Sequence, residues 1–266
     1  MIREINSTDN NHIKTLIKLK NGAKIIEDAK FLVEGWNIIK EALNTLAVVE
    51  IITTKEQQDY FITTAPTIPL TIVSEHVANK LKGSVNSQNI FAVLDLNKLK
   101  NYNYLDFNTD MLILENVQDP GNMGALLRTA LGFNFNNILI LGDSVSIFNE
   151  KVLRASQGAF LKLNLKVIKT NYLSVLQELA TTQAYYLIST GLNQRAVYLD
   201  QYSFITKQKI ALMFGNEGNG LSSELLTMSQ LNLKININPQ LESLNVSQAS
   251  AIIMYEINKQ KGGSNV

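Results

Sequence analysis

The 266-residue chain contains no cysteine. That excludes a disulfide framework, thiolate-bound metals and cysteine nucleophiles, and it suits a reducing compartment. Histidine is nearly missing as well: His12 and His76 are the only two, far apart, in segments that read as polar helix surface. Two histidines so placed supply neither a histidine metal site nor a Ser-His-Asp relay, and no metal is expected. No apolar run approaches the ~20 residues that cross a bilayer; the longest are short, strand-like pieces such as Ile138 to Leu141. The opening residues, MIREINSTDNNHIK, hold no apolar signal core, so the expected location is the cytoplasm, with no membrane partner. Charge of one sign is lacking too. With 24 Lys+Arg against 23 Asp+Glu the net charge is +1, so composition alone does not announce a nucleic-acid binder, and any such affinity must come from locally arranged charges.

What is present is an ordinary globular composition, 45% hydrophobic and 18% charged, in a length that suits one large domain or two modest ones with a real core. The chain divides near residue 106. In the first part Ile13, Leu16, Ile17 and Leu19 recur at helical spacing after Asn or Asp caps. Phe31-Leu32-Val33 leads through Glu34-Gly35 into an amphipathic helix from Trp36 to Leu43. Val48 to Ile52, Ile68 to Val73 and Ile90 to Leu94 read as strands, and Ser74 to Lys82 as a short helix. Residues 1–96 thus form a small α/β unit, and the polar stretch 97–108 reads as a linker.

From 109 to 266 strands and helices alternate. Strands are expected at 111–115, 137–142, 165–168, 184–189, 210–214 and 231–237, and helices at about 121–132, 149–157, 171–181, 219–228 and 246–260. Such alternation implies an α/β fold with a parallel sheet covered on both faces. The GGSNV tail is expected to be disordered. Ligands of such sheets bind beyond the carboxyl ends of the strands, which directs attention to three loops.

The first runs from Glu115 through Asn116, Asp119-Pro120-Gly121-Asn122 and Gly124 to Arg128-Thr129-Ala130. A buried strand ends in a polar turn, and a helix opens whose free N–H groups can receive an anion. A proline turn with an N-cap explains it equally in local terms. Arg128, alone among Leu127, Ala130 and Leu131, requires a partner or a phosphate unless it simply snorkels to solvent. The second loop, Gly215-Asn216-Glu217-Gly218-Asn219-Gly220-Leu221, follows an apolar strand. It has neither the ending of a phosphate-binding P-loop nor the G-x-G-x-x-G spacing of dinucleotide folds. Its glycines allow close backbone approach and Glu217 places a carboxylate at the strand tip; a plain turn with a solvated glutamate is the other reading. In the third, Glu242-Ser243-Leu244-Asn245-Val246-Ser247-Gln248, Asn245 and Gln248 resemble a capping box, while Ser243 and Asn245 can also hydrogen-bond a substrate.

Taken together and in this order, N-x-x-D-P-x-N-x-G-x-x-x-R-T-A, G-x-E-x-x-G-L and E-S-L-N-V-S resemble the three motifs of the SpoU (TrmH-type) branch of the SPOUT RNA methyltransferases. Lys151 to Ala159 is similar to a family stretch between the first two motifs. Phe31 to Gly35 and Ser87-Gln88 resemble the ribosomal-L30e-like substrate-binding domain that precedes the catalytic domain in that branch. The resemblance spans essentially the whole chain. It implies a trefoil-knotted catalytic domain, an exception to unknotted folds that periodicity could not reveal. It implies S-adenosyl-L-methionine as cofactor, held at Gly215, Ile235 and Leu244, and a homodimer with active sites formed across it. The implied reaction is methylation of a ribose 2′-hydroxyl in RNA, ribosomal RNA being favoured over transfer RNA because of the L30e-like domain. Family residues tied to the chemistry fall at Asn122, Arg128, Glu217, Ser243 and Asn245. A guanidinium is always protonated and has no acceptor, so Arg128 suits a phosphate clamp and stabiliser of developing alkoxide charge, with Glu217 orienting it or another donor.

Two departures stand out. Where the family usually has I-P-M-x-G this chain reads Ile235-Asn236-Ile237-Asn238-Pro239, and Asn89 stands where glycine commonly follows Ser/Thr-Gln. The main alternative is a non-catalytic RNA-binding protein that keeps the fold; the intact Asn122, Arg128, Glu217 and Asn245 favour catalysis. A dinucleotide-dependent oxidoreductase lacks its glycine fingerprint, and base methylation is disfavoured by the third motif. Arg3, Lys14, Lys18, Lys20, Lys24 and Arg154 are candidates to track phosphates. The N-terminal set among them reads equally as a solvated face balanced by Glu4, Glu27 and Asp28.

Overall fold

The computed structural model describes residues 1–20, 25, 28–191, 196–205 and 207–262. Lys24, Glu27 and the tail beyond Gly262, all invoked above, lie outside the described residues. The chain forms two compact units, Met1–Tyr102 with Ser146–Leu161, and Asn103–Val145 with Lys162–Val266.

In the first unit, strands β1 (Ile2–Ile5), β2 (Lys30–Glu34), β3 (Val48–Thr53), β4 (Leu70–Val73) and β5 (Ile90–Asp95) form one sheet. Their order is β1-β4-β3-β5-β2. β1 and β3 pair parallel with β4, while β5 runs antiparallel to β2 and β3. Three of these strands match the sequence reading. β1 was not foreseen because four residues with a single buried side chain carry no alternation to read, and β2 because Phe31 to Val33 reads as a lead-in to the helix that follows. Helix Asn11–Lys18 is capped by Asn10, whose side chain accepts the His12 N–H, and it buries Ile13 and Leu16. These pack with Leu32, Val77, Phe91 and Val93 into one core. The segment Ser146–Leu161 belongs to this unit through its aromatic residues: the Phe31 ring lies 4.8 Å from Phe148 and 6.0 Å from Phe160.

The second unit holds seven strands, β6 (Met111–Glu115), β7 (Asn137–Leu141), β8 (Asn164–Ile168), β9 (Tyr186–Thr190), β10 (Val197–Tyr198), β11 (Ile210–Phe214) and β12 (Leu231–Lys234). They form an all-parallel sheet in the order β10-β12-β9-β11-β6-β7-β8. β6, β7 and β11 are buried along their whole length, as expected of central parallel strands covered on both faces, and this is why they read as unbroken apolar runs. β6 to β8 step outward on one side, and β11 returns to pair with β6 from the other. That reversal sets the loops after β6 and β11 side by side, the usual place for a ligand in an open parallel sheet. No helix among the described residues is long and apolar enough to cross a membrane.

Two elements are shorter than the sequence suggests. The helix expected from 219 begins at Ser223, because residues 216–220 close a tight reverse turn instead, with Asn216 and Gly220 exchanging both backbone hydrogen bonds at 3.0 and 2.9 Å. The strand expected to reach 237 ends at Lys234, and Ile235 and Ile237 turn to line a cavity.

Candidate active site

A cavity of about 260 Å³ in the second unit lies beyond the carboxyl ends of β9, β11 and β12. Phe214, Leu233, Ile235, Ile237, Leu244 and Ile253 give it an apolar wall, and Thr190, Glu217, Ser243 and Asn245 bring polar atoms to it. The structure therefore gathers Gly215, Ile235 and Leu244, the three expected cofactor contacts, in one cavity with Glu217, Ser243 and Asn245.

Backbone geometry builds this place. Gly215 is buried, and a Cβ there would collide with the Gly220 carbonyl and the Leu221 amide, so only glycine lets the two sides of the 215–221 turn touch. The Asn216 side chain ties the turn: its Oδ1 accepts the Gly218 and Asn219 N–H groups at 2.9 and 3.0 Å, and its Nδ2 donates to the Asn116 carbonyl at 3.0 Å. Asn116, at φ +54°, uses its own Oδ1 to accept the Asp143 N–H at 2.8 Å. Side-chain amides thus clip together the loops after β6, β7 and β11.

Beneath the turn lies a residue the sequence reading passed over. Glu115, at the end of β6, is fully buried. It accepts the Ser222 N–H at 2.8 Å, the Ser222 hydroxyl at 2.7 Å and the Tyr172 phenol at 3.0 Å. A buried carboxylate is tolerable only with its acceptors engaged. Here the donors are those that fix the end of the 215–221 turn. Burial, followed by the hydrogen bond to Glu115, pushes the Tyr172 phenol up to about 12, so it remains a donor. The signal was available: one acid closing the run Met111-Leu112-Ile113-Leu114.

Helix Pro120–Gly132 opens with Asp119 as N-cap, accepting the Asn122 N–H at 2.7 Å, and with Pro120 in its first turn. This places the Asn122 side chain between the second and third loops. Its Nδ2 donates to Glu217 Oε1 at 3.0 Å, and its Oδ1 accepts from Asn245 Nδ2 at 2.9 Å. Glu217 also accepts the Gln118 and Asp119 N–H groups at 3.4 and 3.3 Å. Partial burial opposes ionisation of Glu217, but the bonds from Asn122 and from backbone N–H groups prevail and hold its carboxyl below the usual range. Asn245 caps helix Val246–Gln260 through Ser247, whose N–H and hydroxyl it accepts at 2.8 and 2.6 Å; the capping partner is Ser247, not the Gln248 of a capping box. Ser243 stands exposed at the cavity wall.

Arg128 is placed differently. It sits on the outer face of helix Pro120–Gly132, which buries Met123, Leu126, Leu127 and Ala130. The guanidinium-bearing side chain is exposed and makes no hydrogen bond or ion pair among the described residues. Glu217 orients Asn122 and does not engage Arg128. The two departures near the cavity lie off its wall. Asn236 and Pro239 are exposed, and Pro239 follows Asn238 in a turn closed by the Leu241 N–H on the Asn238 carbonyl at 2.9 Å, a position its fixed φ suits. Among the described residues no cluster of three or more His, Asp or Glu side chains could hold a metal.

Residues 110–255 match the family model of the SpoU rRNA Methylase family. The chain belongs to that family. Residues 10–92 match the MRM3-like substrate binding domain. Among curated relatives, the 23S rRNA (guanosine(2553)-2'-O)-methyltransferase RlmP of Bacillus subtilis is 29% identical over 96% of this chain and 99% of its own. A crystal structure of an RNA 2'-O ribose methyltransferase superposes with a TM-score of 0.80 at 26% identity, covering 97% of this chain and 98% of the other. The rRNA methyltransferase from Sinorhizobium meliloti shares the fold, with a TM-score of 0.83 at 21% identity over 97% of this chain and 98% of that one.

Of the residues read as phosphate contacts, Arg3, Lys14, Lys20 and Arg154 are paired, with partners other than those foreseen. Arg3 and His12 both reach Glu50, at 2.6 and 2.9 Å, Lys14 approaches Asp9 at 3.7 Å, and Lys20 and Arg154 share Glu150 at 3.3 and 3.7 Å. Glu4 pairs instead with Lys55 at 3.1 Å.

Proposed function

We propose that this protein transfers the methyl group of S-adenosyl-L-methionine to a ribose 2′-hydroxyl of ribosomal RNA. The observation that carries the reading is the hydrogen-bonded row Glu217–Asn122–Asn245 at the apolar cavity of Gly215, Ile235 and Leu244, in a chain of the SpoU rRNA methylase family.

The cavity residues fit the cofactor. Phe214, Leu233, Ile235 and Leu244 offer apolar surface to a purine, and loop backbone at Gly215, Ile235 and Leu244 offers groups to its polar edges. When bound, the cofactor supplies an electrophilic methyl on a sulfonium. The chain's own residues supply position and charge. Glu217, held as a carboxylate, fixes the Asn122 amide; Asn122 and Asn245 hold each other, so the polar groups beside the cavity have one arrangement. Ser243 offers a hydroxyl to the ribose. Arg128, exposed and cationic, clamps the neighbouring phosphate and stabilises developing charge on the 2′-oxygen.

In this reading residues 1–96 bind the RNA, 97–108 connect, and 109–266 carry catalysis, supported by the extents of the two family matches. The reading includes the family's trefoil knot, a cytoplasmic location, and a homodimer. Exposed Ile252 and Tyr255, three residues apart on helix Val246–Gln260, support a self-association face. The test uses the alkali resistance that ribose methylation confers. An unmodified 23S rRNA transcript incubated with protein and cofactor gains one hydrolysis-resistant linkage; a transcript that stays fully cleavable, alone or within assembled subunits, overturns the proposal.

A further inference from the structure

Three motif segments take no part in the site described above: Phe31 to Gly35, Ser87-Gln88 and Lys151 to Ala159. All three meet around a second cavity, of about 240 Å³, inside the first unit. Its wall is mainly polar, and Gln88 and Asn37 each leave one amide atom unused by the fold. Gln88 Oε1 accepts the Trp36 N–H at 2.9 Å, which fixes the amide and leaves Nε2 as a spare donor. Asn37 Nδ2 donates to Gln157 Oε1 at 3.0 Å, and Gln157 Nε2 donates to the Arg154 carbonyl at 3.0 Å, which leaves Asn37 Oδ1 as a spare acceptor. The end of helix Glu150–Ser156 is pinned for this purpose. Gln157 and Gly158 both take the left-handed conformation, at φ 51° and 86°.

The other side of the cavity is equally rigid. Glu34 accepts the Gly83 N–H at 2.7 Å and the Ser84 hydroxyl at 3.0 Å, shaping the loop that carries Gln88. Trp36 forms part of the wall, its ring 4.6 Å from Tyr60. Arg154 also lines it, and its Nη1 is buried with no hydrogen-bond partner, 3.7 Å from Glu150 Oε1.

A fixed amide donor and a fixed amide acceptor on one cavity complement the edge of an unstacked base, which presents both kinds of group. The cavity also holds an indole, over which Lys40 Nζ sits at 5.1 Å, and a guanidinium, a group that suits a phosphodiester. We infer that this cavity holds one unstacked nucleotide of the RNA, read at its base edge by Gln88 Nε2 and Asn37 Oδ1, with its phosphate on Arg154. The inference rests on the RNA methyl-transfer reading and adds a recognition site remote in sequence from that chemistry.

The test is filter binding and methyl-transfer kinetics of the full chain with an unmodified 23S rRNA transcript. Gln88→Glu keeps an oxygen for the Trp36 N–H and replaces the spare donor with a charged acceptor; Asn37→Ala removes the spare acceptor together with the bond to Gln157. Each is expected to raise the Kd and KM for the transcript roughly tenfold, the size of losing a good base-edge contact. kcat, calorimetric cofactor affinity and Tm are expected to stay at wild-type values. Wild-type RNA affinity in both variants, or an RNA defect matched by a fall in Tm, overturns the site while leaving the methyl-transfer reading intact. A wild-type chain that binds cofactor but neither retains nor methylates the transcript overturns that reading, and this inference with it.

Discussion

At the scale of single residues the account turns on Asn122, whose amide is used at both ends. Its Nδ2 serves Glu217 and its Oδ1 serves Asn245. Asn122→Asp keeps the shape and replaces the donor with an oxygen facing a carboxylate. The expected outcome is a methyl-transfer rate lower by at least about tenfold, since a charged hydrogen bond becomes a like-charge contact. Cofactor affinity measured by calorimetry is expected to change little. Glu217 itself sets a pH expectation. Its folded pKa lies below that of an unfolded glutamate, about 4.3, so its ionised contacts are complete above that value and are lost only as pH falls through the lower folded one. The rate should therefore show no limb from Glu217 between pH 5.5 and 8. A limb in that interval that disappears in Glu217→Gln would contradict the assignment.

At the scale of elements, Asn245 has two tasks that one substitution separates. As N-cap of helix Val246–Gln260 it accepts from Ser247; as a donor it holds Asn122. Asn245→Asp retains the acceptor and loses the donor, so Tm should hold while the rate falls. Asn245→Ala loses both and should also cost about 1 kcal/mol of stability, readable by denaturant unfolding. Gly215→Ala tests the turn: its Cβ meets the Gly220 backbone, and the expected result is a loss of ~1–3 kcal/mol with weakened cofactor binding.

The elements also mark how far sequence reasoning reached. β6, β7 and β11 were legible because central parallel strands are apolar throughout, and helix Val246–Gln260 because its cap and periodicity agree. Helix Ser223–Met228 was overextended because three glycines and Asn216 make a turn that local periodicity does not register. The residues of the site were legible as a motif order, not as contacts. No spacing rule brings Asn122 to Glu217 and Asn245, 95 and 123 residues away. Glu115 escaped because its partners, Tyr172 and Ser222, lie 57 and 107 residues away. The same holds for Lys151 to Ala159, whose place in the first unit depends on Phe148 and Phe160 meeting Phe31.

At the scale of the whole molecule, the proposed homodimer predicts a single species of twice the chain mass in size-exclusion chromatography with light scattering. Tyr255→Glu, which charges an exposed apolar position on helix Val246–Gln260, should shift it toward monomer and lower methyl transfer together. A monomeric wild-type chain with full activity would remove the dimer from the account. The central claim has a more direct test: transfer of tritiated methyl from S-adenosyl-L-methionine to ribosomal and transfer RNA fractions, followed by nuclease digestion. The account predicts label in a 2′-O-methyl nucleotide of the ribosomal fraction, accumulating at least about tenfold more slowly with Asn122→Asp. Label confined to a methylated base, or no label in any fraction, assembled subunits included, would contradict it.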